Sequence, residues 1–150
     1  MPGKERIKVI IDTNLFISFL IGKRPGGLKR TLVNSSIQLI FSEQNIEELQ
    51  IVTRKPKFNK YFKESDVADL IDLIYSIGKV IKVTKEPEIC RDPKDNFLLA
   101  LSDKGKADYL VSGDNDLLSI EKYKGTQIIT AEELEALINK TQTPDADGNN

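Results

Sequence analysis

The chain has 150 residues, 39% hydrophobic and 30% charged, with 22 basic against 23 acidic side chains and a formal net charge of −1. A chain of this length buries roughly 68–70% of its unfolded surface, which suits one ordinary soluble domain, and its charge balance excludes a dedicated polyanion binder with a uniformly basic face. It has no histidine and one cysteine, Cys90, which excludes Ser-His and Cys-His nucleophiles, imidazole bases, imidazole-dependent zinc sites, internal disulfides and thiolate clusters.

Residues 7–11, Ile-Lys-Val-Ile-Ile, are a β-branched run of strand length that ends abruptly in Asp12-Thr13-Asn14. Leu15, Phe16, Phe19 and Leu20 then recur at helical spacing up to Gly22, and Arg24-Pro25-Gly26-Gly27 breaks the pattern. A second helix through Leu28, Leu32 and Val33 leads to a second strand at residues 37–41. Ser42 is placed to cap the next helix, which carries Ile46, Leu49 and Val52 on one face and stops at Pro56.

Val67, Leu70, Ile71, Ile74 and Ile77 repeat as an amphipathic helix closed by Gly78, and residues 80–83 read as a third strand. Asp92-Pro93 opens a helix containing Phe97, Leu98 and Leu101, with Asp92 as cap and Pro93 at the first helical position. Residues 109–112 and 127–129 are the fourth and fifth strands. Thr130-Ala131-Glu132-Glu133 spells a capping box for a last helix through Leu134, Leu137 and Ile138.

Strands alternating with helices predict an α/β three-layer α/β/α sandwich with a mostly parallel central sheet of four or five strands. One domain is expected over residues 1–140. Residues 141–150 hold no aliphatic residue larger than alanine and are expected to be a disordered polar tail. No apolar run approaches the ~18–20 residues that span a bilayer, and Asp12 and Asn14 before the run at 15–21 argue against a signal peptide. The lone cysteine fits a reducing compartment, so a cytoplasmic location is expected.

In a parallel α/β sheet, strand carboxyl ends and the following helix amino ends share the edge where ligands bind. Asp12 ends the first strand, Asp114 and Asp116 follow the fourth, and Asp92 and Asp95 open the helix at Pro93. Each has an ordinary alternative: a cap for Asp92, a helix-dipole partner for Asp95, a solvated turn for Asp114 and Asp116. Asp12 is harder to dismiss, because an acid at the end of an apolar strand is half buried and an unpaired buried carboxylate is costly. No lysine or arginine follows it within several residues. Clustered carboxylates call for a divalent ion, and an oxygen-only donor set points to Mg²⁺ or Mn²⁺ and to phosphoryl chemistry with activated water.

The helix after Ser42 supplies a fourth acid. With roughly 100° per residue, Glu47 falls about 160° from the centre of the apolar face and Glu48 about 100°, so Glu48 sits at its rim and Glu47 in water. The ordinary alternative for Glu48 is a surface acid.

Four segments now form a pattern: Val9 to Asn14, Ser42 to Leu49, Asp92 to Ala100, and Ala107 to Leu118. In this order and spacing they resemble the PIN domain family, and most closely the single-domain bacterial and archaeal PIN proteins treated as toxin components of toxin-antitoxin pairs. The resemblance covers nearly the whole chain, from about Ile7 to Ile138. It places the family's first-strand aspartate on Asp12, its helix glutamate on Glu48, its third acid on Asp95 and its fourth-strand aspartate on Asp114. Asp116 matches an additional acid of many members, Asn14 a polar residue near the metal site, and Asp92 an acid of this subgroup. Ser112 stands where the family more often has threonine; either hydroxyl can bond a carboxylate.

The resemblance implies a PIN-like fold and a Mg²⁺- or Mn²⁺-dependent endoribonuclease. Asp12, Glu48, Asp95 and Asp114 would be catalytic; Asp12, Asp95 and Asp114 would hold one or two metal ions, with Asp116 joining them; Asn14, Ser112 and Asp92 would support them. Metal-activated water would attack phosphorus in line, leaving a 5′-phosphate and a 3′-hydroxyl. The implied partners are RNA, a cognate antitoxin protein and a second copy of the chain.

The basic segments Lys23-Arg24 with Lys29-Arg30, and Arg54-Lys55 with Lys57, Lys60 and Lys63, are candidate phosphate contacts, with a solvated charged surface as their ordinary alternative. Phe58, Tyr61 and Phe62 beside the second segment could stack bases or pack in the core. The alternative function is a non-catalytic PIN-like module that binds RNA or protein, although such modules usually lose one or more of the acids. A receiver-like phosphorelay domain lacks its acid pair and strand-end lysine here, and a haloacid-dehalogenase-like phosphatase lacks its second acid, since Asn14 occupies that place. Residues 145–149 mimic a calcium loop without its closing glutamate, and residues 22–30 lack the G-K-[ST] element of a P-loop.

Overall fold

The computed structural model describes residues 6–22, 25–58 and 60–142, of which 25–28 and 140–142 as backbone. The first β-branched run forms β1 (Ile7–Ile11), followed by α1 (Thr13–Ile21), α2 (Pro25–Leu32), β2 (Ile37–Phe41), α3 (Glu43–Thr53) and, after a 3₁₀ turn at Pro56–Phe58, α4 (Glu64–Ile77) and β3 (Gly78–Val80). The second half carries α5 (Pro93–Gly105), β4 (Tyr109–Val111), α6 (Asn115–Leu118), β5 (Lys122–Tyr123), β6 (Thr126–Ile129) and α7 (Ala131–Gln142).

The strands form one sheet in the order β3-β2-β1-β4-β6-β5, parallel except for the antiparallel β5–β6 pair at one edge. Successive side chains of β1 serve opposite faces. Val9 and Ile11 join Leu39, Phe41, Phe16, Leu49, Ile74 and Leu134 in one buried cluster, while Ile10 joins Ile40, Leu99, Leu101, Leu110 and Leu117 in another. Helices α1, α2, α3, α4 and α7 therefore cover one face and α5 and α6 the other, making the expected three-layer sandwich.

Winding runs outward from β1 through β2 to β3, and then resumes on the other side of β1 at β4. The β1–β4 junction is thus a topological switch point, where a crevice opens beyond the strand carboxyl ends. Ile11 pairs with Val111 and Val111 with Ile129, so three strands end level with one another.

The expected third strand is shifted. Residues 80–83 have strand composition, but β3 is residues 78–80, because Gly78 both ends α4 and begins pairing with Leu39. A Cβ at Gly78 would lie 2.7 Å from both the Ile74 carbonyl oxygen and the Phe41 ring, so only glycine permits a helix to enter a strand without a linker. Ile81 and Val83 pack against the second cluster from irregular backbone. Pro25 to Gly27, expected to interrupt helical structure, form the first turn of α2, where proline at a helix start needs no amide partner.

The sheet gains a sixth strand, two-residue β5, through a hairpin turn at Lys124-Gly125. Helix α7 runs to Gln142, two residues into the expected tail; residues 143–150 lie outside the described part. No described helix is long and apolar enough to cross a membrane.

Candidate metal centre

Asp12 follows β1 directly and is anchored from three sides. Its backbone N–H donates to the Val111 carbonyl at 2.9 Å, extending the β1–β4 ladder by one bond. Its Oδ1 caps α1 by accepting from the Asn14 N–H at 3.1 Å, and its Oδ2 accepts from Ser112 Oγ at 2.8 Å. The fully buried Ser112 Oγ also accepts the Asp114 N–H at 3.0 Å, so one hydroxyl ties the carboxyl ends of β1 and β4 together. Burial pushes the Asp12 carboxyl above its ordinary range, the Asn14 and Ser112 hydrogen bonds pull it back, and the charges of Asp114 and Glu48 push it up further.

Asp95 enters from the opposite wall, in the first turn of α5. Asp92 caps that helix by accepting the Lys94 N–H at 2.9 Å, and Pro93 starts it, which turns Asp95 inward. Asp95 is 5% exposed, and its Oδ2 is buried without a hydrogen-bond partner among the described residues. Burial first, then the charges of Asp114, Asp92 and Asp12 and a hydrogen bond with Asp114, push its carboxyl from 3.8 up to about 6.

Asp114 caps α6, accepting the Asp116 N–H at 2.9 Å. One carboxylate oxygen each from Asp95, Asp114 and Asp116 lie within 4.8 Å of one another. The wheel's assignment in α3 matches the observed exposure: Glu47 is exposed, while Glu48 is half-buried, with its Oε2 2.9 Å from Lys94 Nζ. Ser42 and Asn45 start that helix reciprocally, Ser42 Oγ accepting from the Gln44 N–H and Asn45 Oδ1 accepting from the Ser42 N–H.

The structure therefore brings Asp12, Asn14, Glu48, Asp92, Asp95 and Asp114 onto one cleft at the switch point. Ser112 stands behind Asp12. Asp116 sits at the rim, exposed, and pairs with Arg91 at 3.2 Å. The basic candidates Lys29, Arg30, Arg54 and Lys55 are exposed but line no part of the cleft; Lys23 and Arg24 lie outside the described residues. Lys57 and Lys60 cover the rings of Phe58 and Tyr61 at 5.1 and 5.3 Å.

Glu86, Gln44, Asn45 and Lys94 also line the cleft and were missed by sequence reasoning, as was Asn96, buried in α5 next to Asp95. Asn96 Oδ1 accepts from the Ile89 and Cys90 N–H groups and its Nδ2 donates to the Cys90 carbonyl, clasping the irregular 81–92 segment to α5. Only Asn45 carried a readable signal, three residues after a capping serine.

Six carboxylates around one cleft, one of them with a buried oxygen that has no hydrogen-bond partner among the described residues, fit a hard divalent cation bound through oxygen. Asp95, Asp114 and Asp116 are close enough to share one, and Asp12 faces the same space.

A PIN domain family model matches residues 8–116. Uncharacterized protein MJ1680 of Methanocaldococcus jannaschii is 31% identical over 120 residues, covering 78% of this chain and 77% of that protein. In fold, the chain is similar to one in the crystal structure of VapBC2 from Rickettsia felis bound to a DNA fragment from their promoter, with a TM-score of 0.53 and 14% identity over 83% of this chain and 98% of that one. The family match runs from β1 to the acids after β4, the two ends that Ser112 joins, and this chain belongs to the PIN domain family.

Proposed function

We propose that the chain is a Mg²⁺- or Mn²⁺-dependent endoribonuclease and the toxin component of a toxin-antitoxin pair. The observation that carries this reading is Asp95, whose buried Oδ2 has no hydrogen-bond partner among the described residues and which lines one cleft with Asp12, Asp114 and Glu48. Asp12, Asp95 and Asp114 would hold the metal, with Asp116 as a further ligand. A bound divalent ion of this kind offsets the carboxylate charge, makes water a better nucleophile at neutral pH and stabilises negative charge on phosphoryl oxygens.

The chain's own residues do the positioning. Ser112 and the Asn14 N–H fix both oxygens of Asp12. Asp92 sets the start of α5 and thereby the inward aim of Asp95. Glu48, half-buried at the far wall, accepts a proton from or orients the attacking water. The expected products carry a 5′-phosphate and a 3′-hydroxyl.

Lys29, Arg30, Arg54 and Lys55, which line no part of the cleft, contact RNA phosphates without reading bases, and the sequence assigns Lys23 and Arg24 the same role. Residues 1–140 work as one domain in the cytoplasm. The antitoxin and homodimer proposals rest on the resemblance to single-domain PIN toxins and, for fold, on the likeness to a VapBC2 chain.

The test is cleavage of a defined single-stranded RNA with Mg²⁺, Mn²⁺ or chelator, alongside Asp12→Asn. Metal-dependent cleavage lost in Asp12→Asn supports the enzyme, and equal cleavage by the variant removes the site assignment. RNA binding with no divalent-ion binding and no cleavage favours the non-catalytic module. Unchanged growth on full soluble expression without a partner counts against the toxin role alone.

A further inference from the structure

Six carboxylates line the cleft, those of Asp12, Glu48, Glu86, Asp92, Asp95 and Asp114, and among the described lining residues Lys94 is the one cation. Its place is not explained by helix stability. Lys94 is the second residue of α5, at the positive end of the helix dipole, where an acid is favoured and a lysine is not. Its Nζ reaches across the cleft mouth from α5 to α3 and meets Glu48 Oε2 at 2.9 Å. The lysine side chain is 63% exposed and that of Glu48 26%, so this is a pair at the solvent boundary, held weakly and open to exchange.

A phosphodiester approaching this cleft meets negative charge on every wall. A divalent ion held by Asp95 and Asp114 would offset the charge there, but among the described lining residues the mouth between α3 and α5 has only Lys94 as a cation. We propose that Lys94 is the substrate-phosphate contact of the cleft: its ammonium leaves Glu48 and pairs with a non-bridging oxygen of the polynucleotide phosphate next to the bond being cut. The inference rests on the phosphodiester reading given above and adds a substrate-binding residue to it. An ammonium suits the task, as a point charge with three donors on a flexible stem that can move between two anionic partners. Release of Lys94 leaves Glu48 free to act on water at the moment the phosphate is seated, so that substrate entry and exposure of the glutamate are one event.

The experiment compares the wild-type chain with Lys94→Gln and Lys94→Arg, using one labelled single-stranded RNA. Binding is measured in Ca²⁺ from about 50 to 200 mM salt, cleavage in Mn²⁺, and Mn²⁺ affinity alone by titration. Lys94→Gln is expected to weaken RNA binding roughly tenfold and to raise KM by a similar factor, with kcat changed little. The plot of log affinity against log salt becomes shallower by about 0.7, the signature of one lost phosphate contact on a single strand. Lys94→Arg restores most of the affinity, and Mn²⁺ binding in Lys94→Gln is unchanged or tighter because a competing positive charge is gone.

Unchanged RNA affinity and salt slope in Lys94→Gln overturn the proposal. A loss confined to kcat or Mn²⁺ affinity overturns it too, since Lys94 then serves only to hold Glu48. Should the wild type bind RNA without cleaving it while Lys94→Gln loses affinity, the nuclease reading falls and the phosphate contact stands. Should both proteins cleave alike, the contact falls and the nuclease stands. A wild type that neither binds nor cleaves RNA removes both.

Discussion

At the sheet wall of the cleft Asp12 is 6% exposed and both its oxygens accept hydrogen bonds, whereas at the helical wall Asp95 is 5% exposed and its Oδ2 has no partner among the described residues. Burial is the same, so burial does not distinguish them. The sheet wall satisfies its carboxylate from within, through the Asn14 N–H and the Ser112 hydroxyl. The helical wall leaves a demand that only a proton or a cation from outside can meet. The first acid is held in place by the protein; the second makes the site depend on what it binds.

The largest test of that contrast is to neutralise each acid in turn. Asp12→Asn and Asp95→Asn are both expected to lower RNA cleavage by about 10³-fold, measured at saturating Mn²⁺. Their effects on metal-free stability should differ in sign. At Asp12 the new amide nitrogen faces the Ser112 or Asn14 donor, and denaturant unfolding in chelator should show a loss of about 1–2 kcal/mol. At Asp95 the change removes a buried uncompensated charge, and the same measurement at pH 7.5 should show a gain. A loss in both variants would break the contrast between the walls.

The pH dependence sharpens it. The carboxyl of Asp95 is raised from 3.8 to about 6, so between those values the folded chain keeps a proton that the unfolded chain has released. Its contribution to metal-free stability is therefore favourable at low pH, falls as pH rises from about 4 to 6, and is lost above that. Mn²⁺ affinity should rise through the same interval, because the ion competes with the proton. Unfolding and titration series in wild type and Asp95→Asn check this; the variant should lack the fall.

Smaller effects come from the supports. Ser112→Ala removes the hydroxyl shared by Asp12 and the Asp114 N–H, costs about 1–2 kcal/mol in thermal or denaturant unfolding, and moves Asp12 towards the condition of Asp95. Smallest of all is Glu47→Gln, expected to stay within about 0.5 kcal/mol of the wild type and to leave cleavage unchanged, while its neighbour Glu48→Gln lowers cleavage.

Asp12 and Asp114 were legible because strand ends are readable and parallel sheets gather their carboxyl ends along one edge. Asp95 followed from Asp92-Pro93, which sets where α5 begins, and the exposure of Glu48 from the angle between it and three apolar residues. Features created by distant segments meeting were not legible. Asn96 looks like an indifferent helix residue until residues 89 and 90 come back to it, and Lys94 stands among acids whose pattern drew attention away from it. Gly78 read correctly as the end of a helix, but that it also begins a strand depends on the Phe41 ring across the sheet. Two-residue β5 is too short for any periodicity to register.

The pairing of Ile11 with Val111 has a consequence for the order of events during synthesis. One of the two neighbours of β1 is made a hundred residues after it, about 5–20 s later at ordinary elongation rates. Through that interval the first half of the chain can build β2 beside β1, while the other edge of β1, with Val9, Ile10 and Ile11, waits uncovered. The acid that ends β1 spends the same interval without the serine and the two aspartates that complete its surroundings. Whatever chemistry the cleft performs, an unfinished chain does not possess it, and the exposed strand is the part of the nascent protein most in need of protection from other chains.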